Sequence, residues 1–200
     1  MKRRLLLAIS LAGLLPKGFS QATGAFEQDF YSGGNRPFCW VPVADYSTPG
    51  NWYFEARGNY EAINSASLYL GKTFDKKGLI SYSVTPMAGL VTGSFNGGSV
   101  GADVALDYKR ISFSSQSQYT FAIKNPARNF TYSWSDLTYQ LQGWVAAGVS
   151  LQQTRGVLEK GILLTGVYKN WSLPLYVFNP ETCKRYFVLG LIVEWGVKKI

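Results

Sequence analysis

The chain has 200 residues, of which 46% are hydrophobic, 16% aromatic and 16% charged. This composition argues against intrinsic disorder, and the length fits a single domain. The formal net charge is +8, but after residue 22 no more than two basic residues are adjacent. Because nucleic-acid binding requires a basic stripe or patch, the sequence predicts no nucleic-acid partner.

The first 22 residues have the pattern of an export signal. Residues 2–4 are basic, and an apolar run of eleven residues follows at 5–15. This run is too short for a transmembrane helix, which takes about 20 residues. Small residues between 18 and 22 provide a cleavage site. The sequence therefore predicts a signal peptide over residues 1–22, which is removed on export.

Residues 23–50 are interrupted by Gly33, Gly34 and three prolines. Proline removes a donor from a strand ladder and is confined to edges and bulges. We therefore predict an N-terminal arm or periplasmic plug here, with two additional short strands as the alternative. In an oxidising compartment a disulfide between Cys39 and Cys183 is permitted, and two free thiols are an equal alternative.

From residue 51 onward, apolar and polar residues alternate with a period of two. In the segment 52–61, Trp52 and Phe54 lie on one face and Glu55 and Arg57 on the other. Such alternation predicts strands with one apolar and one polar face. Ten segments of this kind follow one another, the last at 185–197.

One of these segments, 130–142, changes phase along its length. Its apolar positions shift near Asp136, from Phe130, Tyr132 and Trp134 to Leu137, Tyr139 and Leu141. A shift by one residue predicts a β-bulge, which exchanges the two faces without ending the strand.

The connections between the segments alternate in length. The longer ones follow positions 60, 91, 122, 154 and 179, whereas those near 75, 109, 142 and 170 are tight. Short periplasmic turns and longer external loops are typical of outer-membrane barrels. We predict an all-β fold over residues 51–200: an antiparallel up-and-down transmembrane β-barrel of about ten strands. Eight and twelve strands are the alternatives.

The last predicted strand carries the clearest assembly signal. Its outward row consists of Phe187, Leu189, Leu191, Val193 and Trp195. The opposite face carries Tyr186, Val188, Gly190, Ile192 and Glu194, and it is less polar than a water-filled channel requires. This face predicts a lumen that is largely filled by side chains.

Four ionisable residues lie mid-strand on the polar faces: Glu55, Arg57, Asp103 and Asp107. We expect them to form an ion-pair network in the lumen that stiffens the wall. The chain contains no histidine, which removes the usual Ser-His-Asp and Cys-His arrangements and the commonest metal ligand. No catalytic, cofactor-binding or metal-binding residue is predicted.

The leader, the alternating segments and the aromatic last strand resemble bacterial outer-membrane β-barrel proteins. The segments GNRPFCW, NWYFEARGNYE, FSSQSQY and KNWSLPLY resemble uncharacterised barrels of the Bacteroidota. The resemblance implies a position in the outer membrane, contact with its lipid, and insertion by the barrel-assembly machinery, which reads the last strand. It implies no activity.

Three roles are compatible with the sequence. The main prediction is a non-catalytic barrel with a structural or accessory role and a filled lumen. A narrow pore or transporter for small solutes is the first alternative. A soluble periplasmic β-barrel that binds an apolar ligand is the second, because alternation does not reveal whether the apolar face points outward or inward.

Overall fold

A computed structural model describes residues 22–34 and 37–196. Nearly all of the predicted signal peptide, and the C-terminal residues 197–200, lie outside the described residues. The described chain forms thirteen strands and a short 3-10 helix, Pro126–Arg128. The strands are β1 (Thr23–Ser32), β2 (Cys39–Ser47), β3 (Trp52–Gly58), β4 (Ser65–Lys72), β5 (Phe74–Lys76), β6 (Ser81–Gly93), β7 (Gly97–Tyr108), β8 (Ile111–Ala122), β9 (Phe130–Gln142), β10 (Val145–Thr154), β11 (Val157–Tyr168), β12 (Trp171–Phe178) and β13 (Tyr186–Trp195). No helix in the described part is long and apolar enough to cross a membrane.

Twelve of the strands close into a barrel. Neighbours along the chain pair antiparallel, and β1 pairs with β13 to complete the ring. The short β5 is not counted as a separate wall strand. It pairs with β6 in the same register as β4 and so continues β4. The predicted all-β antiparallel barrel is confirmed, with twelve strands in place of about ten.

The two additional strands come from the segment for which an arm or plug is predicted. Residues 23–47 form β1 and β2, which pair with each other, and β1 also pairs with β13. Pro42 is tolerated because the β2–β3 ladder begins one residue later, at Val43. This segment is therefore barrel wall, as the alternative of two extra strands proposes.

Prolines interrupt two other ladders. The β4–β6 ladder stops at Met87 and resumes at Val84 against β5, so Pro86 lies in the gap. Proline has no N–H to donate, which explains why β4 and β5 are separate. The β12–β13 ladder breaks in the same way at Pro174. There the ring lies against Gly190, where an added Cβ would come within 2.6 Å of the proline Cγ.

The connections form two rims. The terminal rim contains the start of β1, the end of β13 and the connections 48–51, 77–80, 109–110, 143–144 and 169–170. The loop rim contains residues 33–34, 37–38, 59–64, 94–96, 123–129, 155–156 and 179–185. The predicted longer loop after residue 154 is instead a two-residue turn. Both of its residues have positive φ, 52° at Arg155 and 82° at Gly156, as in tight hairpin turns.

The outward-facing side chains form an apolar belt. Leu68 is 69% exposed and Leu90 is 75% exposed, and such residues recur on strand after strand. An apolar surface of this extent is suited to lipid rather than to water. Tyrosine and tryptophan rings gather near the terminal rim, as in an interfacial girdle: Trp52, Tyr82, Tyr108, Tyr139, Trp144, Tyr168 and Trp171. The apolar face therefore points outward, which contradicts the soluble alternative.

Strand β9 differs from the prediction. Its register against β8 is unbroken from Phe130 to Tyr139, so no bulge lies near Asp136. The register shift falls instead between Val145 and Ala146 of β10. Because the strand keeps one phase, its aromatic residues near the loop rim face the lumen: Phe130, Tyr132 and Trp134.

Candidate functional site

Within the part of the lumen that the described residues line, two cavities are stacked along the barrel. The loop cavity, of about 370 Å³, lies toward the loop rim and is lined in part by Val41, Glu61 and Gln152. The terminal cavity, also of about 370 Å³, lies toward the terminal rim. Tyr60 lines both cavities. This side chain therefore lies between them.

Tyr60 extends across the lumen. It belongs to the connection 59–64, between β3 and β4, yet its hydroxyl donates a hydrogen bond to Oε1 of Gln116 on β8. Its ring also meets Tyr132 of β9 edge-on, with the ring centroids 5.2 Å apart. Around the barrel, β8 and β9 are four and five strands away from β3. Tyr60 thus bridges nearly opposite walls of the barrel and narrows the lumen.

The connection 59–64 lies at the loop rim, and its hydrogen bonds direct Tyr60 and Glu61 into the lumen. Asn59 and Asn64 have φ of 58° and 61°, a left-handed conformation that asparagine tolerates. The Asn59 side chain accepts from the Asn64 N–H at 2.9 Å. Glu61 accepts hydrogen bonds from the Ser67 hydroxyl at 2.9 Å and the Tyr69 hydroxyl at 2.8 Å. These contacts fix Tyr60 in its position across the lumen.

Arg57 is the centre of a buried cluster beneath this connection. It is 3% exposed and forms an ion pair with Glu55 and a longer one, at 3.7 Å, with Glu61. Its Nη1 donates to Oε1 of Gln118 at 2.6 Å. The guanidinium also lies 4.4 Å from the Tyr60 ring centroid and 4.2 Å from the Tyr69 centroid. Its charge is therefore fully matched by its neighbours.

The four predicted lumen residues lie in three different environments. Glu55 and Arg57 are in contact, and Asp103 lines the terminal cavity. Asp107 lies near the end of β7 and is exposed. Glu61 joins the cluster from the connection after β3, which ends at Gly58 although the predicted strand extends to residue 61. Within the described residues, no three histidine, cysteine or acidic side chains are placed to hold a metal ion.

Further carboxylates line the terminal cavity. Glu27 and Asp29 come from β1, Asp45 from β2 and Asp136 from β9. The first three lie in the segment for which an arm is predicted, so they are not among the predicted lumen residues. The alternation of Phe26 and Phe30 with these carboxylates is a sequence signal that could have identified them.

Asp136 is held by neutral donors. Its Oδ1 accepts from Trp134 Nε1 at 2.9 Å and from the Ser150 hydroxyl at 2.5 Å. Its Oδ2 accepts from the Tyr176 hydroxyl at 3.0 Å. None of these three donors carries a charge, so these hydrogen bonds hold the carboxylate in place without supplying a positive charge.

One side of the lumen is packed with aromatic residues. Trp134 and Tyr176 meet edge-on with centroids 5.0 Å apart, and Phe178 stacks on Tyr186 at the same distance. Val188 is fully buried beside them. The inward face of β13 is thus filled near the loop rim, whereas Ile192, farther along the same face, lines the terminal cavity.

The remaining predicted residues lie on the outer face or at the loop rim. The row Phe187, Leu189, Leu191, Val193 and Trp195 lies on the outer face of β13, which pairs with β1 at the closure. Cys39 begins β2 and Cys183 lies in the β12–β13 connection, so both are near the loop rim. Both thiols are free.

Comparison with known proteins finds solved structures with a similar fold. No family model matches the chain, and no curated protein matches its sequence. Its structure is similar to the KdgM porin, with a TM-score of 0.61 and 13% identity over 86% of this chain and 98% of that one. It is also similar to the NanC porin, with a TM-score of 0.54 and 9% identity over 85% and 98%. A second KdgM structure is a complex with disordered oligogalacturonate.

At these identities the similarity establishes the fold. The apolar outer belt and the aromatic girdle independently match a lipid environment. Together they confirm the predicted location of this chain, the bacterial outer membrane. The chain is an outer-membrane β-barrel protein with the fold of porins.

Proposed function

We propose that this protein is a narrow pore through which small solutes cross the outer membrane. The observation that carries the proposal is the pair of stacked cavities with the Tyr60 side chain between them. Its fold, similar to that of the KdgM and NanC porins, supports the same role. No catalysis is part of the proposal, in keeping with a chain that lacks histidine.

The sequence predicts a structural or accessory role and a filled lumen. That prediction is wrong, and the proposed pore takes its place. That prediction depends on the inward face of β13, and this face is indeed buried near the loop rim, at Tyr186 and Val188. A single strand does not represent the whole wall, however. The loop cavity lies beside other strands, and the terminal cavity reaches β13 itself at Ile192. The fold also resembles those of the KdgM and NanC porins.

The route of insertion and the bacterial group of origin are also proposals. The outward aromatic row of β13 supports insertion by the barrel-assembly machinery. The four sequence segments that resemble Bacteroidota barrels support an origin in that group.

Tyr60→Ala should widen the passage, because it removes the ring that separates the two cavities. The test is swelling of proteoliposomes in uncharged sugars of increasing size. The wild-type barrel should admit the smallest sugars alone, whereas Tyr60→Ala should admit larger ones and admit small ones several-fold faster.

The matched control is Tyr60→Phe, which keeps the ring and its contact with Tyr132 but loses the hydrogen bond to Gln116. It should retain the wild-type size limit. If all three proteins had the same size limit and swelling rate, Tyr60 would not be the constriction.

A further inference from the structure

The net positive charge of the chain conceals a negative interior. Among the described residues, six carboxylates line the terminal cavity, those of Glu27, Asp29, Asp45, Glu55, Asp103 and Asp136, against one basic side chain, Arg57. The other lysines and arginines of the described strands and turns lie at the rims or on the outer wall, as Lys109, Arg110 and Lys160 do. A formal net charge of +8 therefore says little about the charge that a solute meets inside the barrel.

Arg57 does not neutralise this cavity. Its guanidinium is already shared between Glu55 and Glu61, and Glu61 lines the loop cavity instead. The carboxylates contributed by β1, β2 and β7 form no ion pair with it. A low-dielectric wall strengthens the field of such unpaired charges, because clefts lined by one sign of charge focus field lines.

The Asp29 carboxylate lies in the terminal cavity without a positively charged partner. The residue is 8% exposed, and its Oδ1 is buried without a hydrogen-bond partner. Oδ1 of Asp103, on β7, is likewise buried without a hydrogen-bond partner. Gly190 lies opposite Asp29, and a Cβ there would come within 3.0 Å of this same oxygen. The Asp29 carboxylate thus packs against the bare backbone of Gly190, which supplies no positive charge.

The arrangement suits a passing cation better than a resident metal. No three acidic side chains in the described segments are placed to bind one metal ion together. Conduction requires attraction that is strong enough for entry and weak enough for exit, and rings of Asp and Glu serve this purpose in cation channels.

We infer that the terminal cavity makes this pore selective for cations, so that its solutes are small inorganic or organic cations. The inference rests on the proposed pore function and adds the class of solute. The preferred charge is opposite to that of oligogalacturonate, a carboxylate-bearing polymer present in one of the KdgM porin structures.

The test is the reversal potential of the purified, folded barrel in planar bilayers of uncharged lipid under a KCl gradient. We expect K⁺ to permeate roughly tenfold more readily than Cl⁻ at low salt, the lower end of the enrichment that such clefts produce. In 1 M salt the Debye length falls to about 3 Å, so the preference should shrink.

The double variant Asp29→Asn and Asp103→Asn removes the charge of both carboxylates whose Oδ1 has no hydrogen-bond partner, with little change in size. It should lower the K⁺/Cl⁻ permeability ratio several-fold while the openings persist. Glu181→Gln is the matched control, because Glu181 lies in the exposed β12–β13 connection outside the lumen. It should keep the wild-type ratio. A gel that compares heated and unheated samples checks that each variant is folded.

Each outcome decides a different point. A wild-type pore with no preference, or with a preference for Cl⁻, would overturn cation selectivity while leaving the pore intact. An unchanged ratio in the folded double variant would overturn the role of these two carboxylates. The absence of any openings would overturn the proposed pore, and the selectivity inference with it.

Discussion

Replacing Arg57 with alanine should lower the free energy of unfolding of the barrel by about 3–5 kcal/mol, the usual effect of removing one partner from a buried ion pair. Arg57 is 3% exposed and is held between Glu55 and Glu61. Without it, two buried carboxylates lose their counter-charge. The stacking contacts with Tyr60 and Tyr69 are lost as well. Urea unfolding in lipid vesicles measures the free-energy change, and gel heat-modifiability measures the accompanying loss of heat resistance.

Arg110→Ala is the matched control for this experiment. Arg110 is exposed in the tight β7–β8 turn at the terminal rim, and its loss should change stability by no more than about 0.5 kcal/mol. If Arg57→Ala kept wild-type stability but changed the conductance, Arg57 would act on passing solutes rather than hold the wall together.

Deleting residues 185–200 should abolish insertion into the membrane. This deletion removes β13, which pairs with both β1 and β12 and so closes the ring. The two strands left behind would each expose an unpaired edge. In hydrocarbon each unsatisfied backbone group costs several kcal/mol, which is why open sheet edges do not occur there. Cell fractionation with a urea wash of the membranes should find the truncated chain outside the membrane fraction.

The control is a shorter truncation, which ends the chain after Gly196. It keeps all of β13, since that strand ends at Trp195, and should insert as the full chain does. Stable, urea-resistant insertion of the chain that lacks residues 185–200 would show that β13 is dispensable for closure.

Alternation predicts the wall well where one face meets lipid and the other meets polar neighbours. In β3, Trp52 and Phe54 face outward and Glu55 and Arg57 face inward, as their spacing indicates. The outward row of β13 follows the same rule. In both strands the two environments differ strongly, so a one-residue slip would bury charge in lipid and is disfavoured.

The same rule fails in β9 near the loop rim, because apolar side chains face the lumen there and polar side chains face outward. The aromatic rings of Phe130 and Tyr132 pack in the lumen, while Ser133 and Ser135 face outward. Each outward serine has a hydrogen bond of 2.9 Å to a serine of β8, Ser117 and Ser115 respectively. These paired hydroxyls satisfy one another, so the outer wall accepts them. A hydropathy pattern cannot distinguish this arrangement from a bulge.

The predicted strand 52–61 includes Tyr60 and Glu61, but β3 ends at Gly58 and both residues lie in the connection that follows. The alternation places Glu61 on the polar face with Glu55 and Arg57, as observed, but it places Tyr60 on the apolar face with Trp52 and Phe54. The inward position of Tyr60 depends instead on the left-handed asparagines and on its contacts with β8 and β9. The acidic character of the terminal cavity is predicted only in part, through Glu55 and Asp103. Three of its carboxylates lie on β1 and β2, where prolines and glycines obscure the strands in the sequence.

Single-channel recording of the wild-type barrel in planar bilayers with equal salt on both sides tests the pore function most directly. A narrow pore predicts steady openings of small, uniform conductance that increase in size in the Tyr60→Ala variant. A folded, membrane-inserted barrel that never opens, with or without Tyr60, would contradict it.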